Sequence, residues 1–231
     1  MEAGFDRAFL LHRRAISDSQ WLADFLVQHR GMMRMIVRLS GKHAVKQKAQ
    51  LQPFQPLLIR YQGGGDLKYL QHFELSGSQP ALIGDKLYCG FYMNELAVRI
   101  VPLNEPLEQV YDLYQAQLKA LAATNHMAAS LRHYELTLLE SLGYGVDFEY
   151  DNIGKEISAD CHYDYYPEQG WVMQQQPKYG YGFSGKQVLA MAAREFTDPE
   201  IQQAAKHFCR FLLKPLLGNK PLKSRELFKS R

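Results

Sequence analysis

The chain lacks most of what would place it outside the cytoplasm or inside an enzyme family. None of its 231 residues belongs to an uninterrupted apolar run of roughly 18 residues, the length that reads as a membrane span. The start, Met1 to Arg7, carries acids where a secretory leader has a basic region, and no h-region follows, so a protein of the reducing cytoplasm is expected. Cysteine is scarce. Cys89, Cys161 and Cys209 are odd in number and far apart, which excludes a disulfide framework and the paired knuckles of structural zinc. Cys89 and Cys209 fall in apolar helical patterns and read as small buried hydrophobes. Gly63, Gly64 and Gly65 precede a strand pattern instead of a helix, and Gly185-Lys186 has neither the upstream glycine nor the following Ser or Thr of a nucleotide-binding loop. No HExxH pair occurs among the eight histidines, and His162 beside Cys161 has no second ligand pair. Asp160, Asp164 and Glu168 could in principle hold magnesium, but acids on a polar hairpin are ordinarily solvated. No cofactor, no metal and no enzymatic activity are expected.

The most telling absence is of acid. Between Asp24 and Asp66 there is no Asp or Glu, while Arg30, Arg34, Arg38, Lys42, Lys46, Lys48 and Arg60 are all present. The net charge of +3 conceals this segregation: residues 1–80 carry +5, 81–150 carry −5, 151–200 carry −4 and 201–231 carry +7. Cations gathered in this way suit a polyanionic partner.

Within Gly31 to Leu39 the positions Met33, Met35, Val37 and Leu39 are apolar and Arg34 and Arg38 alternate with them, the period of a half-buried strand. Further strands are read near residues 7–13, 19–28, 54–61 and 66–74, with turns at Gly31 and at 63–66. Five short strands in about 75 residues suggest a small closed barrel, an OB-fold first and an SH3-like barrel second. Residues 40–48 read as a basic loop continuing the arginine face. Arg34, Arg38, Lys42, His43, Lys46 and Lys48 are therefore the candidate nucleic-acid contacts, cations on phosphates and His43 or a neighbouring aromatic on bases. The competing reading is an ordinary solvated strand face. Nothing resembles a recognition helix, so sequence-specific readout is not expected.

From Leu82 the period changes to 3.6, which predicts an α+β chain: a barrel domain over residues 1–80 and a helical bundle over 81–231. Apolar stripes run from Leu87 to Ile100 and from Leu107 to Leu121, a third helix covers Ala128 to Leu142, a fourth starts at the cap Ser184, and the last opens at Asp198-Pro199-Glu200. The tyrosine-rich stretch 144–183 lacks helical periodicity and reads as a strand pair or an irregular subdomain. Gly218 and Asn219 should stop the last helix and Pro221 prevent its resumption. Leu222, Leu227 and Phe228 would then pack back while Lys214, Lys220, Lys223 and Arg225 form a second basic patch. Arg132, among Leu131, Tyr134 and Leu138, suits a peptide with an apolar residue and a carboxylate. The commoner arrangement, a pair with Glu135, competes with that reading. Lys206 and Arg210, one turn apart, face the same ambiguity.

Six collinear stretches resemble the RecO family of bacterial recombination mediators, in particular its zinc-free, enterobacterial-type members. They are Arg7 to His12, Leu51 to Leu57, Leu87 to Leu96, Leu142 to Val146, Ala193 to Phe196 and the ending Gly218 to Phe228. The resemblance implies an amino-terminal OB-fold followed by a helical domain. It implies binding of single- and double-stranded DNA, annealing of complementary strands, and action with RecR, and with RecF in some cases, so that RecA replaces the single-strand-binding protein SSB. It also implies a site on the helical domain for the acidic, phenylalanine-ended SSB tail, carried here by Arg132 and Leu131 and, less directly, by Lys206 and Arg210. Of the four zinc-holding cysteines of other members only Cys161 occurs, so no zinc is implied. A generic OB-fold RNA-binding module docked on a larger assembly is the alternative from a different class.

Overall fold

The computed structural model describes residues 4–42, 44–174 and 182–228. Period-two sequence produces the barrel: β1 (Asp6–Ser17), β2 (Gln20–Val27), β3 (Gly31–Arg38), β4 (Pro56–Gln62) and β5 (Leu67–Leu75). They close in the order β1-β2-β3-β5-β4, with β4 returning antiparallel to β1 and β3 running parallel to β5. Leu10, Phe25, Met35, Val37, Leu57 and Ile59 fill the interior. The strand order, and a helix α1 (Ala44–Gln50) inserted between β3 and β4, make this an OB-fold and dispose of the SH3-like alternative.

That helix corrects the expectation of a loop over residues 40–48. Ala44 to Gln50 has no Gly or Pro and is rich in helix formers, and Leu51, fully buried in the barrel core, anchors its end. Two turns are too short for a 3.6-residue period to register in the sequence. His43 lies outside the described residues.

One side of the barrel is buried on both faces. Ala8 to Leu11, Phe25 to Val27 and Gly31 to Met33 are buried without alternation, because inward residues fill the core and outward ones meet helices. Those helices are α2 (Asp85–Ile100) and α3 (Glu108–Ala123). Phe9 packs on Tyr111 and Tyr114 with ring centroids 5.2 and 5.1 Å away. Asn94 Nδ2 donates to the Leu11 carbonyl at 2.9 Å and Tyr114 OH donates to Asn94 Oδ1 at 2.5 Å, all within the buried interface. The α2–α3 linker joins the barrel as well: Asn104 N donates to Met32 O at 2.7 Å. A Cβ on Gly31, at φ +72°, would lie 1.9 Å from the Glu105 carbonyl oxygen, so only glycine admits this approach.

Chain contacts accordingly divide the molecule into one compact unit of residues 1–125 with 216–231 and another of 126–215. The change of period at residue 80 marks where strands give way to helices, while the first two helices pack as part of the barrel unit. The carboxy-terminal segment closes this unit. Gly218 (φ 61°) ends helix α6 (Pro199–Leu217), and Arg99 donates to the Leu217 and Pro221 carbonyls. The Glu95 carboxylate accepts from Lys223 N, Ser224 N and Ser224 Oγ at the start of a 3₁₀ turn (Lys223–Phe228). Leu222 is buried, whereas Leu227 and Phe228 pack back only in part and stay 38% and 43% exposed, Phe228 lying edge-on to Tyr88.

The second unit holds α4 (Met127–Ser141), a small sheet ordered β7 (Gly170–Gln174), β6 (His162–Tyr166), β8 (Phe183–Ser184), then α5 (Gly185–Ala192) and most of α6. Trp171, Phe208, Phe148, Tyr165 and Phe183 form a network of edge-to-face and tilted rings at its centre. Ser184 and Gln187 close a capping box, and Asp198 Oδ1 accepts from Glu200 N at 2.7 Å, as their sequence positions suggest.

Replacing Asn94 by Ala removes the bonds that its amide makes to the Leu11 carbonyl and the Tyr114 hydroxyl in a buried interface. It should lower stability by about 2–3 kcal/mol in urea unfolding, and Tyr114→Phe by less. Unchanged midpoints for Asn94→Ala would show that the helices hold to the barrel without this network.

Candidate nucleic-acid interface

Farther along the same strands, past the residues that meet α2 and α3, register builds an uncovered face. Residues paired directly across strands share a face, so β1, β2, β3 and β5 lay down the row His12, Asp24, Arg34, Leu67 and the row Arg14, Leu22, Ile36, Tyr69. Gln20 and Arg38 begin a third. Arg14 and Arg38 are exposed, and Leu22 and Ile36 are half-buried between them.

The structure separates the sequence candidates by role. Arg34 is not a free cation: its Nε donates to Asp24 Oδ1 at 2.7 Å, and His12 Nδ1 stands 3.6 Å from the other oxygen of the same carboxylate. Asp24 is 5% exposed. Burial pushes its pKa up, but hydrogen bonds from His12 and Arg34, with their charges, outweigh burial and hold it below the usual aspartate value. Arg38 is exposed, with its guanidinium 5.8 Å from the Tyr69 ring centre. Lys42 and Lys46 are exposed, Lys46 at the start of α1, where it lines with Arg38, Gln50 and His72 a polar hollow of about 220 Å³. Lys48 turns to the barrel rim, donating to the Asp18 carbonyl at 3.2 Å near the Trp21 ring. Arg13 covers that ring at 4.2 Å and donates to the Leu51 carbonyl, so it clamps α1 to the barrel.

Sequence reasoning missed Arg14 and Tyr69. Their signal was the alternation of β1 and β5, legible only once β5 is known to lie beside β3.

In the second unit Arg132 is 8% exposed and its Nη2 donates to Glu135 Oε1 at 2.5 Å, with Glu135 itself 1% exposed. The helix pair weighed against a free binding role is thus present. Cys209 of α6 lies beside that pair: burial, then Glu135, push its thiol pKa upward, opposed by Arg132. Leu131 and Lys206 are half-buried and Arg210 is exposed on α6, one residue beyond Cys209. Of the second basic patch, Lys214 belongs to this unit and Lys220, Lys223 and Arg225 to the first. The three lysines are exposed and Arg225 lies over the Tyr92 ring at 5.9 Å. Among the described residues no three His, Cys, Asp or Glu side chains gather as a metal site, and no helix is long and apolar enough to cross a membrane.

A closed OB-fold barrel carrying a helical second half is the class of protein that this architecture defines. Residues 1–79 match the family model described as Recombination protein O N terminal, and residues 83–226 match Recombination protein O C terminal. The DNA repair protein RecO of Pseudoalteromonas translucida is 54% identical over 228 residues, covering 99% of this chain and 98% of that protein. Those of Yersinia pestis (strain Pestoides F) and Yersinia pseudotuberculosis serotype O:3 are 39% identical over 228 residues, covering 98% of this chain and 94% of each. The chain belongs to the RecO family.

The lowered Asp24 pKa has a signed consequence. Its stabilising contribution is fully present above the ordinary aspartate pKa of the unfolded chain and is lost as pH falls through the lower folded value. Asp24→Asn should cost about 2 kcal/mol near neutral pH, the scale of a charged hydrogen bond. The gap to the unsubstituted protein should close between about pH 5 and pH 2 in pH-resolved denaturation. A gap that persists to the acid limit would remove the ion pair from the account.

Proposed function

We propose that this protein is a non-enzymatic mediator of recombinational DNA repair that binds single- and double-stranded DNA through the uncovered barrel face and anneals complementary strands. The observation that carries the reading is the register-built face bearing Arg14, Arg34 and Arg38, with Lys42 and Lys46 beside it, in a RecO-family chain. Cations on a rigid sheet track phosphates without reading sequence, release counterions, and lower the repulsion between two strands brought together. No bond is made or broken.

The second unit supplies the recruiting site. The acidic tail of SSB, with its terminal phenylalanine, would meet exposed Arg210 and half-buried Lys206 on α6 beside Leu131. Arg132 is committed to Glu135, so it orders this surface more than it offers a free charge. Removing Arg132 would take its cation from the buried Glu135 carboxylate at a cost of about 3–5 kcal/mol. Arg210→Ala is therefore the cleaner probe of tail binding. RecR, and RecF where it takes part, would act with the protein so that RecA loads on strands cleared of SSB in the cytoplasm.

The test is annealing of complementary oligonucleotides coated with SSB, either complete or lacking its acidic tail. Annealing that depends on the tail and falls in Arg210→Ala supports two cooperating sites; annealing indifferent to the tail withdraws the second. Neutralising Arg38 and Lys46 to Gln should reduce the slope of log affinity against log salt by about 1.4 for single strands, roughly 0.7 per lost phosphate contact. An unchanged slope would remove the barrel face, and no annealing under any condition would favour an RNA-binding module.

A further inference from the structure

The uncovered face carries aromatic rings as well as charge, and their placement goes beyond backbone tracking. Tyr69 ends the row Arg14, Leu22, Ile36 and is 39% exposed. Gly63 backs one edge of its ring, where a Cβ would stand 3.6 Å from Cδ2, and the Arg38 guanidinium lies 5.8 Å from its centre. Register between β4 and β5 then shifts: Tyr61 pairs with Leu70 but Arg60 with His72, leaving Gln71 as the extra residue of a bulge. Leu70 and Phe73 both pack on the core, so the shift returns His72 to the outer face three residues after Tyr69. His72 meets Phe5 edge-on at 5.5 Å, and Arg60, opposite His72, lies 5.7 Å from the Phe5 ring centre. Phe5 is 44% exposed.

Tyr69 and Phe5 keep about two-fifths of their surface open, and each has an arginine beside it. Alternating cation and ring is the chemistry of unpaired nucleotides, whose bases stack on aromatic faces while their phosphates meet guanidinium groups. A duplex keeps its bases inside and offers the rings nothing. We infer that Tyr69, His72 and Phe5 form a stacking track for unpaired bases, flanked by Arg38 and Arg60 on the phosphates, and that this track gives the barrel its preference for single strands over duplex. The inference rests on the barrel face being the nucleic-acid site.

The test compares an oligothymidine with an abasic oligonucleotide of equal length and with a duplex, by fluorescence anisotropy on the full-length protein at fixed salt. The unsubstituted protein should bind oligothymidine about tenfold or more tighter than the abasic strand. Tyr69→Ala should lose about tenfold for oligothymidine alone, and adding Phe5→Ala should bring it near the abasic affinity. Tyr69→Phe, which keeps the ring, should bind as the unsubstituted protein does. Equal, tight binding of oligothymidine and abasic strand by the unsubstituted protein would overturn the stacking track while leaving the cationic face intact. Discrimination that survives the double substitution would overturn these residues. Binding of neither strand would overturn the barrel-face reading, and the track with it.

Discussion

The structure depends on burying one side of a small barrel twice. A five-stranded barrel has a core of a dozen or so side chains, and here β1, β2 and β3 add a second apolar layer outside it, against α2 and α3. The contact is polar at its centre, where Asn94 bridges a strand carbonyl and the Tyr114 hydroxyl. Burying an amide there is tolerable only because both of its ends are satisfied. This geometry fixes the orientation of everything else in the unit: α2 also holds the carboxy-terminal turn through Glu95 and Arg99, so the same helix faces the barrel on one side and the chain end on the other.

Covering one side determines what the other can do. On the uncovered face a buried carboxylate, Asp24, lies between His12 and Arg34. Asp24 reduces the local positive charge and orients Arg34, so that arginine reaches a ligand only as one member of an ion pair, whereas Arg38 and Lys46 extend into solvent. The outward charge of this surface is therefore carried by Arg38 and Lys46 more than by Arg34. The second unit follows the same economy of charge, sequestering Arg132 with Glu135 and leaving Arg210 outward.

Much of this was legible in the sequence, for reasons that can be traced to individual residues. Alternation of Met33, Met35 and Val37 with Arg34 and Arg38 is a two-residue signal and survived intact as β3. The stops at Gly218 and the cap at Asp198 are local chemistry and appeared where they were read. The pairing of Arg132 with Glu135 is an i, i+3 contact and was legible as one of two readings. Arg34 was not resolved, because its partner lies ten residues away and only the β2–β3 register brings the two together. Tyr69 escaped because its face is legible only once β5 is known to lie beside β3, and α1 because two helical turns carry no period. The tyrosine-rich stretch contains the strand pair that was one of its two readings, β6 with β7, while its core of rings at irregular spacing around Trp171 left the bounds of those strands unread.

In the proposed mode the uncovered barrel face, and not the helix-covered one, meets nucleic acid. Amide chemical-shift mapping of the full-length protein with an oligothymidine addresses it directly. Perturbations are expected along the outward positions of β2, β3 and β5 and at the start of α1, with α2 and α3 silent. Perturbations confined to α2, α3 or the second unit would contradict it.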